Sequence, residues 1–227
     1  MRPSPRNGAS KTTTALCPMP DTRSPIRLPK PSLAPFGSIA DALRRRRTTR
    51  SIGARQLGAQ LLSNVLFAAC GVNRKRGPFG APGVTAASAS NSQEVDVYVA
   101  LEDGAYRFDT RYHLLVPVTN EDLRLLAYTP HQPLLSPDAP VQLIFVVDLG
   151  KLEHTSGFEE PGLHDPEVQK SYYYVDTGVI AGNVYLFAAA EGLACWFHNC
   201  DRRALARRLR LGKHQRVLFA QTVGYRS

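Results

Sequence analysis

The chain has 227 residues, 43% of them hydrophobic and 21% charged, enough apolar material for one core plus a polar appendage. Its formal charge of +9 is local: residues 1–50 carry eleven Lys and Arg against Asp21 and Asp41, whereas residues 51–227 carry 17 charges of each sign. A neutral body is a poor electrostatic match for a nucleic-acid duplex or an anionic bilayer, and both are set aside as principal partners.

Residues 1–37 are rich in Pro, Ser, Thr and Arg and are expected to form a tail, with "IRLPKPSLAPFGS" (Ile26 to Ser38) able to lie down as an extended arm. A single domain is expected over residues 38–227. Ser38 or Asp41 caps a short helix through Leu43. A second helix runs from Gln56 to Cys70, where Leu57, Leu61, Leu62, Val65, Leu66 and Ala69 recur at helical spacing and Gly71 follows as a stop. Small and polar residues from Gly77 to Gln93 interrupt regular structure. Val95–Ala100 and Ala105–Asp109 form a hairpin around Asp103-Gly104, with a turn a little longer than minimal.

Glu121 to Tyr128 is expected as a short helix and Val141 to Asp148 as a strand buried on both faces. Residues 150–168 mix Gly, Pro, His and acids and are expected as a surface flap. Asp176 to Glu191 is apolar nearly all round and is expected as a central helix closed by Gly192. Asp201 caps a last helix through Leu211, stopped by Gly212, and Arg216 to Gly224 is the final strand. Helices, a hairpin and isolated strands without regular alternation make an α+β fold. The apolar run at Val179–Ala190 is short for a membrane span and holds Asn183. Cys17, Cys70, Cys195 and Cys200 are irregularly spaced behind an N-terminus lacking a secretory pattern, so free thiols and a cytoplasmic setting are expected.

Three stretches carry candidate chemistry. "ALRRRRTTRSI" places five arginines at positions 44–50. It can be a localisation or nucleic-acid patch, a solvated helix end, or a clamp in which Arg46, Arg50 and the Thr48 hydroxyl converge on one phosphate. "TAASASNSQEVDVYVA" sets small residues and the carboxamides of Asn91 and Gln93 before a strand, suited to a flat ligand or to a plain polar turn. "GNVYLFAAAEGLACWF" leads from the central helix into His198-Asn199-Cys200. Cys195, His198 and Cys200 fit no zinc spacing and lack a fourth ligand. Neither a nucleophile elbow nor a Rossmann or P-loop glycine pattern occurs.

Taken together, "LRRRRTTRSI", "LLSNVLFAACGVNR", "TAASASNSQEVDVYVALEDGAYRFD", "GNVYLFAAAEGLACWF" and "VLFAQTVGY" resemble, in order and separation, the nitroreductase family of flavoproteins. The compact branch similar to the dehydrogenase component of thiazole/oxazole-forming synthetases is the nearest, over residue 26 to the C-terminus. The resemblance implies an α+β homodimer with a largely antiparallel sheet, holding FMN at the subunit interface. NAD(P)H would reduce the flavin, which passes a hydride to a nitroaromatic, quinone or similar small acceptor in a ping-pong cycle. It places Arg46, Arg47, Thr48 and Arg50 at the FMN phosphate and ribityl chain, and Asn91 and Gln93 beside the ribityl and isoalloxazine. Phe197, His198 and Asn199 fall in a turn near flavin N5. No acid-base side chain is required, since the flavin performs the redox chemistry and the protein orients it.

The chain departs from the family pattern in holding Ala87 where Pro is common and Glu94-Val95 where Pro-Trp is common. It also carries His198 in place of Gln or Glu, and the C-terminal Lys/Arg phosphate anchor of longer members is absent or reduced to Arg226. Two rival readings are a flavin-binding protein without turnover and, behind it, a basic nucleic-acid-binding protein.

Overall fold

The computed structural model describes residues 22–33, 38–129, 136–156 and 164–227. Its frame is a seven-stranded sheet in the order β1 (Ile26–Arg27), β6 (Leu114–Thr119), β5 (Gly104–Asp109), β4 (Val95–Leu101), β7 (Val141–Asp148), β9 (Gln215–Gly224), β8 (Ala194–His198). Every neighbouring pair is antiparallel. A separate two-stranded ribbon joins β2 (Val72–Arg74) to β3 (Gly83–Val84). The helices are α1 (Ile39–Arg45), α2 (Ala59–Cys70), α3 (Leu149–Glu153), α4 (Pro166–Ala190) and α5 (Arg202–Arg208).

Strand alternation divides the core in two. Val95, Val97 and Val99 of β4 with Leu143, Phe145 and Val147 of β7 face α2 and α4, joining Leu66, Val184 and Phe187. Tyr98, Ala100, Ile144 and Val146 face the opposite side and pack with Leu123, Leu205 and Leu209. Because both faces are covered, β7 is buried from Val141 to Val147, as its largely apolar sequence predicts, with Gln142 the one polar residue in that run.

Several expectations are met with shifted boundaries. Ser38 caps α1 through a capping box, its hydroxyl accepting from Asp41 N while Asp41 accepts from Ser38 N. α2 begins at Ala59 rather than Gln56 and stops before Gly71. The hairpin turn is shorter than expected: Leu101 pairs with Gly104, leaving two turn residues. The stretch 121–128 holds only one 3-10 turn, Arg124–Ala127. α4 starts ten residues before Asp176, with Asp165 accepting from Glu167 N and Val168 N and Pro166 in the first turn. Part of the expected surface flap is therefore helix, and residues 157–163 of it lie outside the described residues. α5 ends at Arg208.

The ribbon strands β2 and β3 were not expected, and neither were two strands of the main sheet. β6 contains Pro117, which cannot donate to a ladder and disguised the strand. β8, expected as a turn, completes the sheet edge beside β9. Residues 22–33, part of the expected arm, run against the sheet. Ile26 and Arg27 pair with Leu115 and Leu114, and the Arg23 guanidinium donates to Thr119 O at 2.9 Å and lies over Tyr106. Among the described residues no helix is long and apolar enough to cross a membrane.

Candidate functional site

The arginine run leaves α1 at Arg46, whose N–H still donates to Ala42 O, and crosses the β8 edge. Thr49 N donates to Cys195 O at 2.9 Å, fixing the run against β8. Tyr185 of α4 organises its first half: its hydroxyl lies 3.1 Å from Thr48 Oγ1 and accepts from Phe197 N at 2.9 Å, and its ring lies 5.6 Å from the Arg46 guanidinium carbon. Trp196 serves Arg50 in the same way, also at 5.6 Å. Ser136 Oγ donates to Arg50 O and accepts from Ile52 N. Ile52 then bridges to Arg226, and Gly53 N donates to Tyr225 O. The C-terminal strand thus locks the second half and brings Arg226 beside the run.

The side chains of Arg46, Arg47 and Arg50 are exposed, and among the described residues none is paired with a carboxylate. Arg44, in contrast, is engaged by Asp41 at 2.7 Å. Arg46 and Arg50 rest on aromatic faces that orient a guanidinium without neutralising it. Guanidiniums held this way keep their hydrogen-bond donors and charge available.

Asn91 and Gln93 sit elsewhere, in the loop before β4. The loop is folded tightly: Ser90, Asn91 and Gln93 take φ values of 50°, 56° and 49°, the left-handed region that non-glycine residues rarely enter. Their amides hold this shape. Asn91 Nδ2 donates to Pro78 O and Pro82 O, and Gln93 Nε2 donates to Pro82 O at 2.7 Å and to Asn91 Oδ1 at 3.0 Å. The carboxamides were expected to donate and accept at a flat ligand, but their N–H donors are turned inward to acceptors of the loop itself and of Pro78 and Pro82.

Behind the loop lies a cavity of about 270 Å³ between β4, β5, α2 and α4, lined by Asn91 and Gln93 and also by Glu94, Asp96, Asp176 and Lys151. None of the arginines lines it. Along α4, Asp176 at the cavity and Tyr185 under Thr48 are nine residues apart, about 13 Å of axial rise. One chain therefore presents two separate groups of candidate ligand contacts.

The third group divides as well. Phe197 and His198 are on β8 rather than in a turn, so their side chains point to opposite faces. Phe197 joins the α4 side near Phe219, with ring centroids 4.8 Å apart. His198 is buried on the other side, Nε2 lying 2.8 Å from Thr222 Oγ1 and Nδ1 lying 2.8 Å from Asn199 O, with the ring stacked on Tyr128. Burial holds its pKa below the ordinary imidazole value. Its imidazole is a structural element of the sheet, packed 4.4 Å from the Trp196 ring that carries Arg50. Asn199 follows β8, and its Oδ1 accepts from Arg202. Asn183, the amide on the apolar helix, donates to Thr85 O.

Cys70, Cys195 and Cys200 are free and buried, each thiol pushed up to about 12 chiefly by burial, so none is poised as a nucleophile. Cys17 lies outside the described residues. Sequence reasoning missed Tyr185 and Trp196, whose rings carry the arginines. The signal available was their position in the "GNVYLF" and "ACWF" runs, where an aromatic residue with a polar tip follows the candidate amide or thiol. It also missed Glu94 with Asp176, which no sequence spacing links.

Comparison with known proteins places the fold. The model of the nitroreductase family matches residues 43–225. The nitroreductase homologue MJ1384 of Methanocaldococcus jannaschii is 28% identical over 162 residues, spanning 68% of this chain and 75% of that protein. A solved nitroreductase homologue of Ralstonia eutropha JMP134 is 30% identical and superposes with a TM-score of 0.77, covering 89% of this chain and 90% of that one. A chain of the E. coli microcin synthetase McbBCD complex with truncated pro-MccB17 bound shares the fold at 14% identity, with a TM-score of 0.62 over 87% of this chain and 77% of its own. The chain belongs to the nitroreductase family, and its activity class is that of an oxidoreductase of nitroreductase type.

Proposed function

We propose that the protein is an FMN-dependent NAD(P)H oxidoreductase that reduces nitroaromatic, quinone or similar conjugated acceptors by hydride transfer in a ping-pong cycle. The observation that carries this reading is the unpaired, aromatic-backed set of Arg46 and Arg50 with Thr48, a receptor fitted in charge and hydrogen bonding to a phosphate monoester such as that of FMN. When bound, FMN supplies the redox chemistry, accepting a hydride from the nucleotide and delivering one to the acceptor.

The residues of this chain bind and orient. Arg46 and Arg50 hold the phosphate, with Arg47 and Arg226 adding positive field, and Thr48 is held by Tyr185 for the ribityl side. Gln93 Oε1 is an acceptor for a ring N–H. Phe197 offers an aromatic face. The backbone after β8, at Asn199, supplies polar groups at the sheet edge. His198 acts through the sheet, fixing β8 against β9.

The two groups of contacts would meet across a homodimer. α4 supports such pairing, with an open strip of Ser171, Val175, Gly178 and Gly182, where Val175 is 63% exposed and nothing lies within 4 Å of a Cβ built at either glycine. A strip of small residues permits close approach of a second helix.

Purification tests the proposal. Yellow protein bleached by NADH or NADPH and restored by an acceptor is expected. Yellow protein that neither nucleotide bleaches supports flavin binding without turnover, and colourless protein that takes up no added FMN refutes both.

A further inference from the structure

Glu94 immediately follows Gln93 and is completely buried. Its Oε2 accepts from Ser92 Oγ at 2.6 Å, while its Oε1 is buried with no donor. Asp176 of α4 is buried beside it, within hydrogen-bonding reach, and its Oδ2 accepts from Ala89 N at 3.0 Å. Two acceptor-only carboxylates in contact inside a protein repel, and both desolvation penalties remain. One hydrogen resolves the conflict.

We propose that Glu94 and Asp176 hold a single proton between them, and that this proton fastens the 88–94 loop, which bears Asn91 and Gln93, to α4. The loop is then tied at both ends, at Ala89 through its amide and at Glu94 through its carboxyl, with the three left-handed residues clamped between. Such conformations persist where surrounding contacts over-determine them, and the clasp is one such contact. Glu94 and Asp176 are positioning residues, acting through Asn91 and Gln93.

The neighbouring groups leave the pair unneutralised. On β4, Asp96 is engaged by Lys151 of α3 at 2.6 Å. Cys70 of α2 and Tyr173 of α4 are raised by burial and stay neutral near pH 7. Asp148, at the end of β7, accepts from Gly150 N, and its own N–H donates to Glu94 O. Among the described residues β5 contributes only Phe108 to the cavity, with Thr110 just after the strand. Burial, with the nearby Asp176 charge, raises Glu94 to about 7 from the usual 4.5. The clasp therefore loosens as the pH rises through neutrality.

The consequence for a bound ligand rests on the flavin reading above, so the experiment has two arms. In the first, exchange of amides 88–94 in the full chain without flavin is followed from about pH 5 to about pH 9, corrected for intrinsic exchange. Wild type is expected to be level at low pH and then to open about tenfold more per pH unit once the pair ionises. Glu94→Gln and Asp176→Asn each supply a permanent N–H in place of the proton and are expected to be level throughout, so either variant serves should the other fold poorly. A protonated-carboxyl infrared band at neutral pH, lost in Glu94→Gln, is the direct sign of the proton. Wild type without the rise, or variants that keep it, would overturn the clasp.

In the second arm, FMN titration is expected to weaken across the same pH range in wild type and not in Glu94→Gln. Equal pH dependence in both would overturn the coupling to the ligand. If FMN fails to bind at any pH, the flavin reading falls while the exchange arm still decides the clasp.

Discussion

At the scale of single residues, neighbouring arginines in one run have different work. Arg44 is engaged by Asp41, whereas Arg46 and Arg50 lie on the rings of Tyr185 and Trp196 with no carboxylate partner among the described residues. Removing one charge-assisted contact to a phosphate costs about 1.5–3 kcal/mol, so Arg46→Ala or Arg50→Ala should weaken FMN binding at least tenfold, and Arg44→Ala should not. A flavin titration of the three variants, with denaturant curves to confirm unchanged folding, reads this directly. Tyr185→Phe removes the acceptor of Phe197 N and the partner of Thr48. It should cost about 1–3 kcal/mol of stability in urea unfolding, since a backbone N–H is left unpaired, and should weaken FMN binding as well. The arginines stood out in the sequence because their residue type suits an anion. Their aromatic supports lie more than a hundred residues away, where no local pattern connects them.

At the scale of elements, local chemistry marked those boundaries that a single residue decides. Ser38 and Asp201 cap helices where capping preferences place them, and Gly71 ends α2. Ser38→Ala should destabilise by about 1 kcal/mol and loosen α1, the short helix that delivers the arginines, measurable as a lower Tm with weaker FMN uptake. Boundaries set by tertiary packing were not legible. β6 hides behind Pro117, and α4 extends to Pro166 because Asp165 caps it far ahead of the apolar run. The side chain of His198 was misplaced for a related reason: once Ala194–His198 is a strand rather than a turn, alternation sends His198 and Phe197 to opposite faces.

At the scale of the whole molecule, the separation of the arginine run from the Asn91–Gln93 loop along α4 is what the proposed two-chain site accounts for. Gly178 has open space around its Cβ position. In an isolated chain Gly178→Leu should be tolerated or mildly stabilising, because glycine weakens a helix interior by about 1 kcal/mol. If α4 packs on a second copy, the same substitution should shift the protein toward monomer in sedimentation experiments and reduce flavin occupancy with it. Stability should also depend on pH. Glu94 binds its proton more tightly when folded, so its contribution is full below about 4.5, declines as pH rises, and is gone above about 7. Buried His198, with its pKa lowered, acts in the opposite direction, its penalty appearing as pH falls below the usual imidazole value of 6.5. Urea unfolding of wild type and Glu94→Gln across this range separates the two, since only the Glu94 contribution vanishes in the variant.

The most direct test of the central claim is FMN binding to wild type and to the doubly substituted Arg46→Ala/Arg50→Ala protein, measured by flavin absorbance after gel filtration. Yellow wild type and a folded, colourless double variant are predicted. A double variant retaining wild-type flavin occupancy would contradict the account.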